Sequence, residues 1–183
     1  MLPLPDMTAD ERPDLFSREA AALGCVVYRI SRSDALEQIM DLIDGDMSVL
    51  SWAETELPYA GLHDLLAKLD VAIARPDDRA ARVGITGVSA ALAATGSLVL
   101  ESGAGRPRSA SLLPDRHIAL MTADQLLDDL ESWQASQAAR GYPAFKQASN
   151  TVIVTGPSKT ADIGHQLVKG AHGPRELHIL ILD

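Results

Sequence analysis

The chain has 183 residues, 46% of them hydrophobic and 22% charged, with 16 Lys and Arg against 25 Asp and Glu for a net charge of −9. That is the length of one average domain, enough to bury a core without disulfides or metal, and the single cysteine, Cys25, excludes an internal disulfide framework. The acidic balance and the 4% aromatic content exclude a basic nucleic-acid footprint and a base-stacking surface, and no apolar run is long enough to span a bilayer.

The opening MLPLPDMTADERPD lacks a basic stretch followed by an apolar core, so no secretory leader is expected and a cytoplasmic location is. Residues 1–20 read as an arm and the start of a helix, and residues 21–183 as a single domain. Phe16, Ala20 and Leu23 lie at helical spacing up to Gly24. Residues 25–30 (CVVYRI) predict a strand, and Ser33 is expected to cap a helix carrying Leu36, Ile39, Met40 and Ile43 up to Gly45. A strand over 47–52, a helix carrying Leu62, Leu65, Leu66 and Leu69, and a short strand over 71–74 complete the first half.

The alternation continues with a strand over 83–86, a small-residue helix over 87–94 and a strand over 97–101. After a strand over 117–121, Thr122 and Gln125 form a capping-box pattern before a helical stripe of Ala123, Leu126, Leu127, Leu130 and Trp133. A strand over 151–155, a helix over 160–169 and a nearly all-apolar strand over 177–182 close the chain. Residues 102–116 and 141–150 read as long loops. Alternating βα units with continuous apolar strands predict the α/β class: a three-layer architecture with a mostly parallel sheet flanked by helices.

Ligands of open α/β sheets sit beyond the carboxyl ends of strands. Two strand-to-helix turns fit that place. One is Thr86 and Gly87, with Thr95, Gly96 and Ser97 following, and the other runs Thr155, Gly156, Pro157, Ser158, Lys159 and Thr160. Each reads either as a ligand cradle of backbone amides and hydroxyls or as an ordinary Thr-Gly turn. Neither is a Walker A loop, and no G-x-G-x-x-G is present. Close backbone approach is expected at Gly87, Gly96, Gly156 and Gly173.

Arg106, Arg108 and Arg116 stand against Asp115 in the first long loop, read either as a mobile clamp for an anion or as a solvated segment. Glu101 is the one candidate catalytic carboxylate, with an edge carboxylate as the alternative. His178 alternates with Leu177 and Ile179 as a core histidine would, and His172 falls in a tight turn. The spacing of His165, His172 and His178 matches no helical zinc pattern, so no metal site is expected, and no Ser/His/Asp order or Cys/His pair stands out. The apolar last strand and Trp52 leave a homo-oligomer open.

The segment from Thr155 to Ile163 (TGPSKTADI), followed by Gly170 to His178 (GAHGPRELH), resembles the C-terminal signature of the LUD-domain family, which includes the lactate-utilisation protein C group. The blocks Gly84-Ile85-Thr86-Gly87, Ala93-Ala94-Thr95-Gly96-Ser97-Leu98 and Leu112-Leu113-Pro114-Asp115-Arg116-His117 resemble that family's other blocks in the same order. Ala94 stands where the family often has Asp, Gly164 where Glu is usual, and Lys159 where Arg is usual.

The resemblance implies one LUD-type domain over residues 21–183, with a fold similar to the NagB/RpiA/CoA-transferase group. It also implies an accessory component of bacterial L-lactate oxidation to pyruvate, without a cofactor of its own, that binds a small anionic metabolite or the iron–sulfur subunits of a lactate-oxidising complex. The alternative is an enzyme, a transferase or isomerase, acting on a phosphorylated or CoA-linked metabolite. The residues expected at the ligand are Thr86, Gly87, Thr95, Gly96, Ser97, Arg106, Thr155, Gly156, Pro157, Ser158, Thr160, His172 and Gly173.

Overall fold

The computed structural model of the protein describes residues 8, 10–160 and 168–183. The elements in chain order are α1 (Arg12–Ala22), β1 (Val26–Ile30), α2 (Arg32–Ile43), β2 (Ser48–Ser51), α3 (Leu62–Lys68), β3 (Ala72–Ile73), β4 (Val83–Thr86), β5 (Ala90–Leu92), β6 (Ser97–Ser102), β7 (Arg116–Thr122), β8 (Leu126–Leu127), α4 (Leu130–Ala139), α5 (Pro143–Gln147), β9 (Asn150–Val154), β10 (Lys159–Thr160), β11 (Val168–Lys169) and β12 (Glu176–Leu182). Single 3-10 turns lie at Glu54–Glu56, Ala93–Thr95, Arg108–Ser111 and Ala123–Gln125.

The α/β expectation holds. Six strands form one sheet in the order β1-β12-β7-β4-β2-β3, and every pair in it is parallel. Apolar side chains on both faces explain the continuous hydrophobic run of β12, which is buried from Leu177 to Leu182. The last strand therefore lies inside the sheet, between β1 and β7, and Trp52 is only 3% exposed, so neither offers a surface to a second copy. Helix α1 buries Phe16 and Ala20, and α2 packs against β12 with Ala35, Ile39, Leu42 and Ile43 inward.

Several local expectations are corrected. Residues 87–94 do not form a helix. Ala90–Leu92 is a strand that turns back through 93–96 to pair antiparallel with β6, with Gly96 left-handed at the turn. Alanine favours helix, but this stretch has no polar face to give to water, and tertiary pairing overrides the propensity. It belongs to a second sheet, β8-β5-β6-β9, that the sequence did not suggest. Its side chains alternate with period two. Ala91, Ala93, Leu98 and Leu100 enter the main core, whereas Ala90, Leu92 and Val99 meet Trp133 of α4 and Ala144 of α5 in a smaller one.

The capping box at Thr122 and Gln125 exists, but it caps only one 3-10 turn. The chain then spends two residues pairing with β5, and α4 starts afresh behind Asp129, whose carboxylate accepts the Ser132 N–H at 2.8 Å. Those hydrogen bonds from Ser132 hold Asp129 below the usual carboxylate range. Helix α2 is capped by Ser31 rather than Ser33, through the Asp34 N–H at 3.3 Å. Of the helix expected over 160–169, residues 161–167 lie outside the described residues, and the flanks pair as the antiparallel strands β10 and β11. The loop over 141–150 contains α5.

Candidate functional site

The expected ligand residues fall in three separate places. Thr95, Ser97 and Thr155 come together where β6 begins and β9 ends, with Ser97 Oγ 2.8 Å from Thr95 Oγ1 and 2.9 Å from Thr155 Oγ1. The two C-terminal motif blocks also meet here. Ser158 N–H donates to the Pro174 carbonyl at 2.8 Å, Gly170 N–H to the Ser158 carbonyl at 3.0 Å, and His172 N–H to Ser158 Oγ at 3.3 Å. Pro157 is buried, Thr160 lies in β10 with its side chain half-buried, and Gly173 would place a Cβ 3.5 Å from Ser158 Cβ, an ordinary contact.

The close approaches expected at Gly87, Gly96 and Gly156 are real, but the chain itself makes them, and Gly173 has none. A Cβ on Gly96 would lie 2.6 Å from Ala20 Cα, and one on Gly156 would lie 3.1 Å from Leu23 Cβ. Lys159 Nζ also donates to the Leu23 carbonyl. The TGPS turn is thus a seat for the end of α1. Gly156 is left-handed at φ +85°, so Gly156→Ala is expected to lower stability by about 1–2 kcal/mol, combining backbone strain with the tight Leu23 contact. Urea unfolding checks this; an unchanged midpoint would show that the turn does not bear on α1.

The second place is the carboxyl end of β4. Thr86 is fully buried and its Oγ1 lies 2.8 Å from His117 Nε2. Burial pushes the His117 imidazole down to about 4, which leaves it neutral at physiological pH and suited to an internal hydrogen bond rather than proton transfer. Next to it, a Cβ on Gly87 would lie 2.5 Å from the Glu56 carbonyl oxygen, because residues 52–58 fold over this strand end.

The third place lies at the far end of the β6–β9 ladder, four residues and about 13 Å along the strand from Ser97. Glu101 here is bound to Arg106, with Oε2 3.7 Å from Nη1, and Glu56 Oε2 lies 3.6 Å from Arg106 Nε. A cleft of about 330 Å³ opens beside them, lined by Ser102, Gly103, Arg106, Pro107, Arg108, Ser149 and Asn150. The Arg108 guanidinium makes no ion pair among the described residues, and Arg106 Nε is buried without a hydrogen-bond acceptor. Arg116 is not part of this cleft. It starts β7 at the sheet's amino end, donating to Glu176 and to the Leu42 carbonyl, each at 2.6 Å. The segment carrying Arg106 is no free clamp either, since its 3-10 turn buries Ala110 against Gly84 of β4.

Sequence reading passed over a constellation that the fold assembles in the same region. Ser51 ends β2, and its Oγ lies 3.0 Å from His63 Nε2 on α3, while His63 Nδ1 lies 3.6 Å from Glu54 Oε2. Glu54 is fixed by accepting the Leu62 and His63 backbone N–H groups, each at 2.8 Å. The available signal was positional: Ser at a strand end, Glu three residues on and His twelve on, at the start of the next helix. His178 is the core histidine expected, stacked on Tyr28 and bonded to Glu176 at 3.2 Å. Among the described residues no group of three or more His, Cys, Asp or Glu side chains is placed to hold a metal ion, and no helix is long and apolar enough to cross a membrane.

A family model described as the LUD domain matches residues 14–182. The chain belongs to the LUD-domain family. This LUD-domain protein is 29% identical to lactate utilization protein C of Halalkalibacterium halodurans over 96% of its own length and 81% of that protein's. It is 28% identical to lactate utilization protein C of Shouchella clausii, over 98% and 82% of the two chains. A solved DUF162-family protein from Deinococcus radiodurans shares the LUD-domain protein's fold, with a TM-score of 0.68 at 18% identity over 97% of this chain and all of that one.

Proposed function

We propose that this LUD-domain protein is an accessory component of L-lactate utilisation that binds a small anion, a carboxylate or a phosphate, in the cleft between residues 102–108 and 149–150. The observation that carries this reading is the pair of arginines lining one cleft in a chain of net charge −9. Arg106 is already held by two carboxylates, while Arg108 is without an ion pair among the described residues. Ser102, Ser149 and Asn150 supply neutral hydrogen-bonding groups around the two guanidiniums, whose forked donors match carboxylate and phosphate oxygens. The relatives named for lactate utilisation favour L-lactate or pyruvate as the anion. Electron transfer then falls to partner subunits that carry iron–sulfur clusters, since a single buried cysteine cannot hold a four-cysteine cluster.

Calorimetric titration with L-lactate, pyruvate and phosphate at fixed ionic strength tests the proposal. One of the three is expected to bind, and Arg108→Ala to weaken it about tenfold or more, the worth of one charge-assisted hydrogen bond. Silence with all three anions, or binding indifferent to Arg108, would refute the cleft as the site. Failure to co-purify with the iron–sulfur subunits of the same system would refute the accessory role.

A further inference from the structure

From the geometry at the carboxyl end of β2 we infer that Ser51, His63 and Glu54 form a nucleophilic acyl-transfer site for a small ester or thioester. Ser51 sits where open parallel sheets present reacting groups, at the carboxyl end of a strand flanked on both sides, by β4 and β3. The three side chains stand in the order nucleophile, base and orienting carboxylate, at 3.0 and 3.6 Å. The carboxylate cannot swing away, because both its oxygens are tied to backbone N–H groups of Leu62 and His63. Glu54 Oε2, 3.6 Å from Nδ1, favours the tautomer with its proton on Nδ1, which leaves Nε2 bare toward the Ser51 hydroxyl.

Ser51 Oγ–H also donates to the Trp52 carbonyl at 2.8 Å, the arrangement open to it when His63 Nε2–H points at Oγ. Ser51 is 8% exposed and the His63 side chain 23%, so an acyl group reaches Oγ past the imidazole and has to be small.

In the reaction, Ser51 Oγ bonds to the acyl carbon while its proton passes to His63 Nε2. The bond to the leaving alcohol or thiol breaks, and His63 returns the proton to it. Water, deprotonated by His63, then cleaves the acyl-serine, releasing the acid and restoring the hydroxyl.

The test uses the intact chain with Ser51→Cys, where the only other thiol, Cys25, is buried and pushed up to about 11 and so serves as an internal control. Alkylation by iodoacetamide at pH 7, read at position 51 by peptide mass, is expected to run about tenfold faster than in Ser51→Cys/His63→Ala, because the imidazole raises the thiolate fraction. Wild-type protein is expected to be captured at Ser51 by a fluorophosphonate and to hydrolyse p-nitrophenyl acetate at a rate that Ser51→Ala and His63→Ala abolish. Equal alkylation with and without His63 would overturn the inference. So would an accelerated thiol in a protein whose wild-type serine is neither captured nor acylated, which would leave His63 as a tie between β2 and α3.

Discussion

Alanine in place of Gly84 is expected to cost about 3 kcal/mol or more of folding stability and to lower the melting temperature by roughly 6–12 °C. The added Cβ would fall well inside van der Waals contact of the Ala110 carbonyl oxygen, 2.9 Å from its carbonyl carbon and 2.8 Å from Pro114 Cγ. Neither side can give way cheaply. Gly84 lies in β4, which is hydrogen-bonded to β2 and β7, and Ala110 is fully buried in its 3-10 turn. Since that turn sets the position of the Arg106 and Arg108 cleft, the same substitution is expected to weaken anion binding beyond its effect on stability. Urea unfolding with a midpoint loss below about 1 kcal/mol would show that the 108–111 turn is not seated on β4.

Acidification is expected to remove about 3 kcal/mol of stability through His117 alone between pH 6.5 and pH 4. In the unfolded chain this imidazole takes up its proton near 6.5, whereas the buried ring in the folded protein does so only at about 4. Across that window the unfolded state holds the extra proton, so stability falls with falling pH, by about 1.4 kcal/mol per unit of displacement. Burial lowers His178 as well, adding a contribution of the same sign, partly offset by its bond to Glu176. His117→Gln keeps a hydrogen-bonding side chain beside Thr86 but cannot titrate. Its stability relative to its own pH 7 value is therefore expected to hold up better than wild type at pH 4, by about 3 kcal/mol. Parallel pH profiles for the two proteins would place the acid sensitivity elsewhere.

Two of these outcomes touch the same physical point. Thr86 and Gly87 carry a pattern of close approach and hydroxyl chemistry that suits a ligand, yet the fold satisfies both internally, through His117 and the Glu56 carbonyl. A Thr-Gly turn is selected wherever a backbone has to come close, and the residue types alone do not say whether the partner is a ligand or another stretch of chain. Gly96 and Gly156 make the same point, since both are occupied by α1 and the residue that follows it.

The class of the fold and the family were legible in the residues themselves. Continuous apolar strands such as β12 and the alternating helices signal a parallel sheet because both faces of each strand are buried. The TGPS and HGP blocks resemble the LUD domain, whose family model matches residues 14–182, and in the fold they meet through backbone hydrogen bonds at Ser158, Gly170 and Pro174. Local chemistry was also right where it was self-contained: the capping box at Thr122 forms as written. The tertiary structure decided what such signals are used for. It ended the capping-box helix after one turn, because β8 pairs with β5, and it drew an alanine-rich stretch into a second sheet, because antiparallel partners were at hand in β6. It also brought Ser51, Glu54 and His63 together, and set Arg106 between Glu56 and Glu101, 45 residues apart in sequence. Contacts between residues distant in sequence depend on how strands are ordered and loops are seated, and neither periodicity nor residue type carries that order.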